Sequence, residues 1–177
     1  AFDSARLVDV GILQKHAARG RKVDVTVKSR LEKLERKRHR VRAKLALNGK
    51  LVAEDEEEIA GKTSSLTLRV TKPELWWPAG MGKQPLYDLQ VELLDEDGAV
   101  IDEKTRRLGL RTIQLRRKKD EWGESFEFVC NGIPFFAKGA NWVPAETFAS
   151  AASKERFFAL LSSMVEANMN MIRVWGG

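Results

Sequence analysis

The chain has 177 residues, with 31 Lys and Arg against 25 Asp and Glu for a formal net charge of +6, two His and one Cys. That length and mixed composition suit a soluble globular protein of one domain, or a domain and part of another, and exclude disordered and fibrous classes. No run is apolar enough to span a bilayer, one cysteine cannot close an intrachain disulfide, and one Cys with two scattered His has no metal-ligand spacing.

From Ala5 to about Arg117 short alternating segments are separated by turn or charged residues. Arg6 to Leu13 alternates, and Lys22 to Ser29 puts Val23, Val25 and Val27 on one face. His39 to Leu47 follows and turns at Asn48-Gly49, a type I′ dipeptide, with Leu51 to Ala53 answering as a short strand. Ser65 to Thr71 sets Leu66, Leu68 and Val70 on one side. Leu86 to Leu94 alternates through Tyr87, Leu89, Val91 and Leu93. Asp97-Gly98 marks a turn, and Ala99 to Leu115 reads as a long last strand interrupted at Gly109. About seven strands with antiparallel alternation predict an immunoglobulin-like β-sandwich. Tyr87, at the start of the sixth strand, stands where a tyrosine corner would lie, or is a plain core tyrosine.

The excess positive charge falls in Lys33 to Lys44 and Arg116 to Asp120. In the first stretch Val41, Ala43 and Leu45 alternate with Arg42 and Lys44, which puts the basic side chains on the wet face of a strand, with Ala53 to Ile59 (AEDEEEI) offsetting them nearby. No aromatic residues interleave with the basic ones, so no nucleic-acid partner is expected. The loop LWWP, Leu75 to Pro78, carries two of the five tryptophans. One of them is expected in the sandwich core and the other against a neighbouring domain, with sugar stacking as the rival use.

From Glu124 the grammar changes. Phe126 and Phe128 alternate with polar residues, Asn131-Gly132 gives a second hairpin signal, and IPFFAKGANWV reads as one apolar strand segment. Cys130, in the strand FEFVC, is expected to be a plain buried thiol. Ser153 is an N-cap for a helix from Lys154 to about Ala167, ended by Asn168, whose face of Phe157, Leu160, Leu161, Met164 and Val165 reads as core. The strand NMIRVW follows, so the region reads as β-α-β, the unit of a parallel sheet. Ligands in such folds sit at the carboxyl ends of strands. Asn141 and Trp142 end the first strand; Arg173 and Trp175, followed by Gly176 and Gly177, end the second. Either these four form a site, a Trp face stacking on a sugar and an Arg holding a carboxylate, or the tryptophans cap a core and Arg173 is a structural ion-pair partner.

The stretches LWWPAGMGKQPLYDLQVEL, LGLRTIQL, FEFVCNGIPFFAKGANWVPAETF and EANMNMIRVWGG together resemble glycoside hydrolase family 2, and the forms GANWVP and NMIRVWGG look most like its β-mannosidase branch. The resemblance runs over essentially the whole chain. It implies an immunoglobulin-like domain before a (β/α)8 TIM barrel, and retaining hydrolysis by two glutamates without metal or organic cofactor. It makes Arg173 the arginine that orients the nucleophile and sets Trp175 against the sugar, with Asn141 and Trp142 beside them. A barrel takes about 250 residues, and 45 follow Gly132. The expectation is therefore an incomplete barrel, with strand 1, helix 1 and strand 2 only. The catalytic glutamates of the family lie on later strands, so none of Glu146, Glu155 and Glu166 takes that role. Glu146 stands where the pattern has aspartate.

The sequence thus predicts a sandwich over 1–119 and a hairpin with the first β-α-β of a barrel over 120–177. The resemblance implies that together they are a non-catalytic piece of a retaining exo-β-glycosidase, first a β-mannosidase acting on terminal β-D-mannosyl residues in carbohydrate metabolism. The alternatives are a β-galactosidase or exo-β-glucosaminidase of the same family, or a non-hydrolytic module binding sugar or protein. Its expected partners are the rest of its own polypeptide and, in the parent, an oligosaccharide or glycoside; neither nucleic acid nor membrane is expected.

Overall fold

The computed structural model describes residues 4–17, 20–34, 37–146 and 153–175. These fall into two compact units, Ala1–Leu75 with Pro85–Arg111, and Trp76–Gln84 with Thr112–Gly177.

The first unit is the sandwich. Its strands are β1 (Ala5–His16), β2 (Lys22–Lys33), β3 (His39–Leu47), β4 (Lys50–Ile59), β5 (Thr63–Thr71), β6 (Tyr87–Leu94) and β7 (Val100–Leu108). They form two antiparallel sheets, ordered β1-β2-β5 and β4-β3-β6-β7. The period-2 alternation sends Val23, Val25, Val27, Val41, Ala43, Leu45, Leu66, Leu68, Leu89 and Val91 inward, where each is at most 1–2 % exposed. Burying a side chain of valine or leucine size is worth about 2 kcal/mol, so this common interior is what holds the two sheets together. Asn48 and Gly49 both have positive φ, 52° and 76°, and close β3 onto β4 in the type I′ geometry expected of the pair. Tyr87 is 1 % exposed, and its hydroxyl accepts the Glu74 N–H at 2.9 Å. It is therefore a tyrosine corner, tying the start of β6 to the segment that precedes it.

β4 corrects one expectation. The sequence suggests a charge offset at 54–58 beside a short strand, yet the strand runs through it to Ile59. Arg42 lies opposite Glu56, Lys44 opposite Glu54 and Arg40 opposite Glu58, so cross-strand attraction makes a strand of a segment with poor β-propensity. Arg42 also sits opposite Glu92 on β6, whose carboxylate it meets at 2.6 Å. The basic face of β3 is consumed by carboxylates on both sides.

The other side of β4 seals an edge. Asp55 accepts the Thr67 N–H at 3.0 Å and Glu57 the Ser65 N–H at 2.7 Å, on the outer edge of β5 in the opposite sheet. At the opposite border, a register shift in β1 between Leu7 and Asp9 frees two backbone groups. Asp102 accepts the Leu7 N–H at 2.7 Å and Lys104 donates to the Val8 carbonyl at 2.8 Å. Strand edges with unpaired N–H groups template association, and side chains from the facing sheet occupy them here.

The strands of the second unit begin with β8 (Ile113–Arg116), then β9 (Lys119–Asp120) and β10 (Gly123–Glu124), a small ribbon, β11 (Glu127–Cys130) and β12 (Ile133–Phe135). β12, β11 and β8 make a three-stranded antiparallel sheet. The long last strand expected over Ala99 to Leu115 is thus two strands in two units, parted after Leu108. Asn131 and Gly132, at φ 50° and 85°, turn β11 into β12. The apolar run IPFFAKGANWV is likewise two strands. Its first part pairs with β11, and only β13 (Gly139–Trp142) joins the parallel pair with β14 (Met171–Val174).

Between β13 and β14 lies α1 (Lys154–Glu166). Ser153 is its N-cap, accepting the Arg156 N–H at 3.2 Å. Asn168, at φ 55°, closes it with bonds from the Asn168 N–H to Val165 O and from the Met169 N–H to Met164 O, a Schellman ending. No helix residue is buried. The face read as core holds Leu160 and Met164 half-buried, while Phe157, Leu161 and Val165 on the same face are 37 %, 43 % and 67 % exposed. Two strands of four residues offer less area than a three-turn apolar face needs.

LWWP also departs from expectation. Leu75 packs on the sandwich core. Trp76 and Trp77 are half-buried and belong to the second unit.

Candidate functional site

β13 and β14 run parallel in the register Gly139↔Met171, Ala140↔Ile172, Asn141↔Arg173, Trp142↔Val174. Side chains alternate across a sheet, so Asn141 and Arg173 project from one face at the carboxyl ends of both strands, and Trp142 from the other. Arg173 Nη1 donates to Asn141 Oδ1 at 3.1 Å. This is the one direct bond among the four residues picked from the sequence that joins side chain to side chain. It uses one corner of a five-donor fork, leaving donors to hold an anionic oxygen pair.

Trp142 turns toward the helix and stacks on Phe157, ring centroids 5.8 Å apart at 18°. The surface depression beside it, about 440 Å³ and lined by Asn141, Trp142, Pro144, Arg156, Leu160 and Met164, lies between β13 and α1. Arg173 does not line it. Trp175 continues past β14, its backbone N–H donating to the Trp142 carbonyl at 2.9 Å, and its side chain is 56 % exposed. Gly176 and Gly177 lie outside the described residues. Glu146 is 3.9 Å from Arg156, a long ion pair on the helix side. Among the described residues no three His, Cys, Asp or Glu side chains are grouped to hold a metal ion.

Three residues of this region were not picked from the sequence as site members. Phe157 was assigned to the helix face and supplies the stacking partner of Trp142. Gly139 opens β13 and Asn170 precedes β14. A Gly at the start of a strand signals close backbone approach, and an Asn beside an apolar strand signals side-chain bonding to backbone, so both carried a readable cue.

The LWWP loop folds on itself and on the β11–β12 turn. The Trp77 N–H donates to Lys83 O at 3.0 Å, and a Cβ on Gly82 would lie 2.9 Å from the Trp77 ring, so that ring rests on the glycine. The Trp76 carbonyl accepts the Asn131 side-chain amide at 3.0 Å and faces the buried Cys130 thiol at 4.0 Å. The Trp77 indole is thus engaged in packing on its own loop, and the Trp76 backbone in bonding to the β11–β12 turn.

The family model described as Glycosyl hydrolases family 2 matches residues 5–111. A Beta-mannosidase B of Aspergillus oryzae is 38 % identical over 133 residues, 75 % of this chain and 16 % of that protein. One from Neosartorya fischeri is 32 % identical over 175 residues, 98 % of this chain and 21 % of that protein. The crystal structure of a β-D-mannosidase from Dictyoglomus thermophilum superposes with a TM-score of 0.90 at 37 % identity, covering 99 % of this chain and 22 % of that one. An exo-chitosanase from Amycolatopsis orientalis, at 22 % identity and a TM-score of 0.75 over 98 % of this chain and 20 % of that one, shares the fold. The chain spans 16–21 % of the length of these curated relatives.

Proposed function

The chain belongs to glycosyl hydrolases family 2, and from that premise we propose that it is part of a retaining exo-β-glycosidase, a β-mannosidase that removes terminal β-D-mannosyl residues, to which it contributes one wall of the sugar site. The observation that carries this reading is the Arg173–Asn141 bond at the carboxyl ends of two parallel strands, the end of such a sheet where barrel enzymes work. Arg173, oriented by Asn141, holds a catalytic carboxylate in its nucleophilic form, and Trp175 offers an exposed indole face to the sugar ring. Double displacement needs two carboxyl groups about 5–5.5 Å apart, one attacking the anomeric carbon and one protonating the leaving oxygen. Those two groups come from polypeptide beyond these residues; Glu146, Glu155 and Glu166 stay out of the reaction, and the chemistry calls for no metal or organic cofactor.

The experiment is a comparison on aryl β-glycosides. The 177-residue chain gives no turnover on aryl β-mannoside. The full gene product hydrolyses it in preference to the β-galactoside and β-glucosaminide, and its Arg173→Ala variant loses about 100-fold in kcat, the scale of removing one preorganised charge-stabilising donor. Turnover by the repurified 177-residue chain would sink the assignment of the carboxylates elsewhere, and preference for another glycoside would move the enzyme to another branch of the family.

A further inference from the structure

We propose that Asn170, acting with Gly139, is a positioning residue for Arg173: it clamps the entry of β14 onto the entry of β13 and thereby fixes the register that sets Arg173 against Asn141. The inference rests on the functional reading of Arg173 given above.

Asn170 bonds to the neighbouring segment with both ends of its side chain. Its Oδ1 accepts the Lys138 N–H at 2.8 Å, and its Nδ2 donates to the Phe136 carbonyl at 3.1 Å. Its backbone N–H donates to the Lys138 carbonyl at 2.8 Å, which also receives the Met171 N–H at 3.2 Å. The amide imitates a peptide unit, presenting one acceptor and one donor to residues 136–138 just before they enter β13. The ladder gains a rung made by a side chain. Asp would keep the acceptor and lose the donor; Ala would lose both.

Gly139 completes the clamp. A Cβ there would lie 2.0 Å from the Met171 carbonyl oxygen, a backbone atom that cannot swing aside. The two strands therefore meet more closely at this point than any side chain allows. A pair of four-residue strands has little else to set its register, and a slip of one residue would carry Arg173 to the opposite face. Clamp and glycine stand at the amino end of the pair, and the Arg173–Asn141 bond is read out two residues further on.

Two measurements test this. The first needs no activity. In the 177-residue chain, Asn170→Ala speeds amide exchange of Trp175, which bonds to the Trp142 carbonyl at the far end of the pair, by at least tenfold. Asn170→Asp gives an intermediate effect, Gly139→Ala matches Asn170→Ala, and the amides of β2 and β6 keep their protection. Wild-type protection at Trp175 in Asn170→Ala overturns the proposal. The second uses the full-length enzyme on whichever aryl glycoside it cleaves. Asn170→Ala lowers kcat about tenfold with KM within twofold, Asn170→Asp recovers part of the loss, and Asn170→Ala causes no further fall in an Arg173→Ala background, the non-additivity expected of residues acting through one another. An equal fall in both backgrounds overturns the proposal, since Asn170 then acts without Arg173. A wild-type enzyme that cleaves no glycoside counts against the functional reading, while the amide exchange still decides the clamp.

Discussion

Glu92 is the carboxylate with most at stake in the sandwich. Its side chain is 7 % exposed, and it receives Arg42 at 2.6 Å, Lys44 at 3.3 Å and the Gln90 amide at 3.0 Å. Burial by itself pushes its pKa up, but the hydrogen bonds and charges of Arg42 and Lys44 outweigh it and hold the carboxyl below its ordinary value. A depressed folded-state pKa means that Glu92 stabilises the fold at pH values above the unfolded carboxyl range and loses that contribution as pH falls through the folded value. Glu92→Gln keeps the shape and removes the charge. It is expected to cost about 2 kcal/mol at pH 7, the scale of a charged hydrogen bond left unmade. In chemical denaturation at several pH values, the gap to wild type should begin to narrow as pH falls below the unfolded carboxyl range, about pH 4, and close as it passes through the lower folded value. A gap that stays constant down to pH 3 would mean that packing, and not charge, is what the substitution disturbs. The alternation around Val41 and Ala43 made the wet face of β3 legible in the sequence. Glu92 was not legible, because a lone acid in an apolar strand looks like one more outward position until Arg42 is seen opposite it.

At the level of elements, local chemistry was legible wherever two adjacent residues decide the geometry. Asn48-Gly49 and Asn131-Gly132 announced their hairpins because few other pairs tolerate two positive φ values in succession. Ser153 announced the start of α1 in the same way. The acidic half of β4, the break between β12 and β13, and the Trp76–Trp77 loop have no such local signature; their conformation is set by what they pair with or rest upon. Asn168 is a case between. It was read as a stop, and the structure adds that its left-handed φ of 55° carries both closing bonds. Asn168→Gly should therefore leave the helix end intact, whereas Asn168→Val should weaken it by about 1 kcal/mol, the cost of a branched side chain in that region. Amide exchange of Met169, which bonds to Met164 O, should then quicken about fivefold. Equal exchange in the two variants would show that the ending does not depend on backbone conformation.

Across the whole molecule, buried apolar side chains are distributed unevenly. Among the described residues they lie almost all in the first unit, with Val129, Cys130 and Pro78 the exceptions. That contrast explains why the sandwich could be read from periodicity and the burial of α1 could not: an apolar period shows which face wants cover, and cover is supplied by neighbours. The sealed borders of the sandwich have a further meaning for how many copies behave in one solution. Asp55 and Glu57 on one side and Asp102 on the other occupy N–H groups that a second chain would otherwise bond. A carboxylate seated on such a group is a better stopper than water, because a strand from another molecule cannot displace it without stranding a charge. The double variant Asp55→Ala, Glu57→Ala should stay folded by circular dichroism yet form oligomers and, on heating, thioflavin-positive fibrils with cross-β spacing, while wild type at the same concentration remains dispersed. Equal light scattering from both proteins would show that the edge of β5 is protected by something other than these two acids.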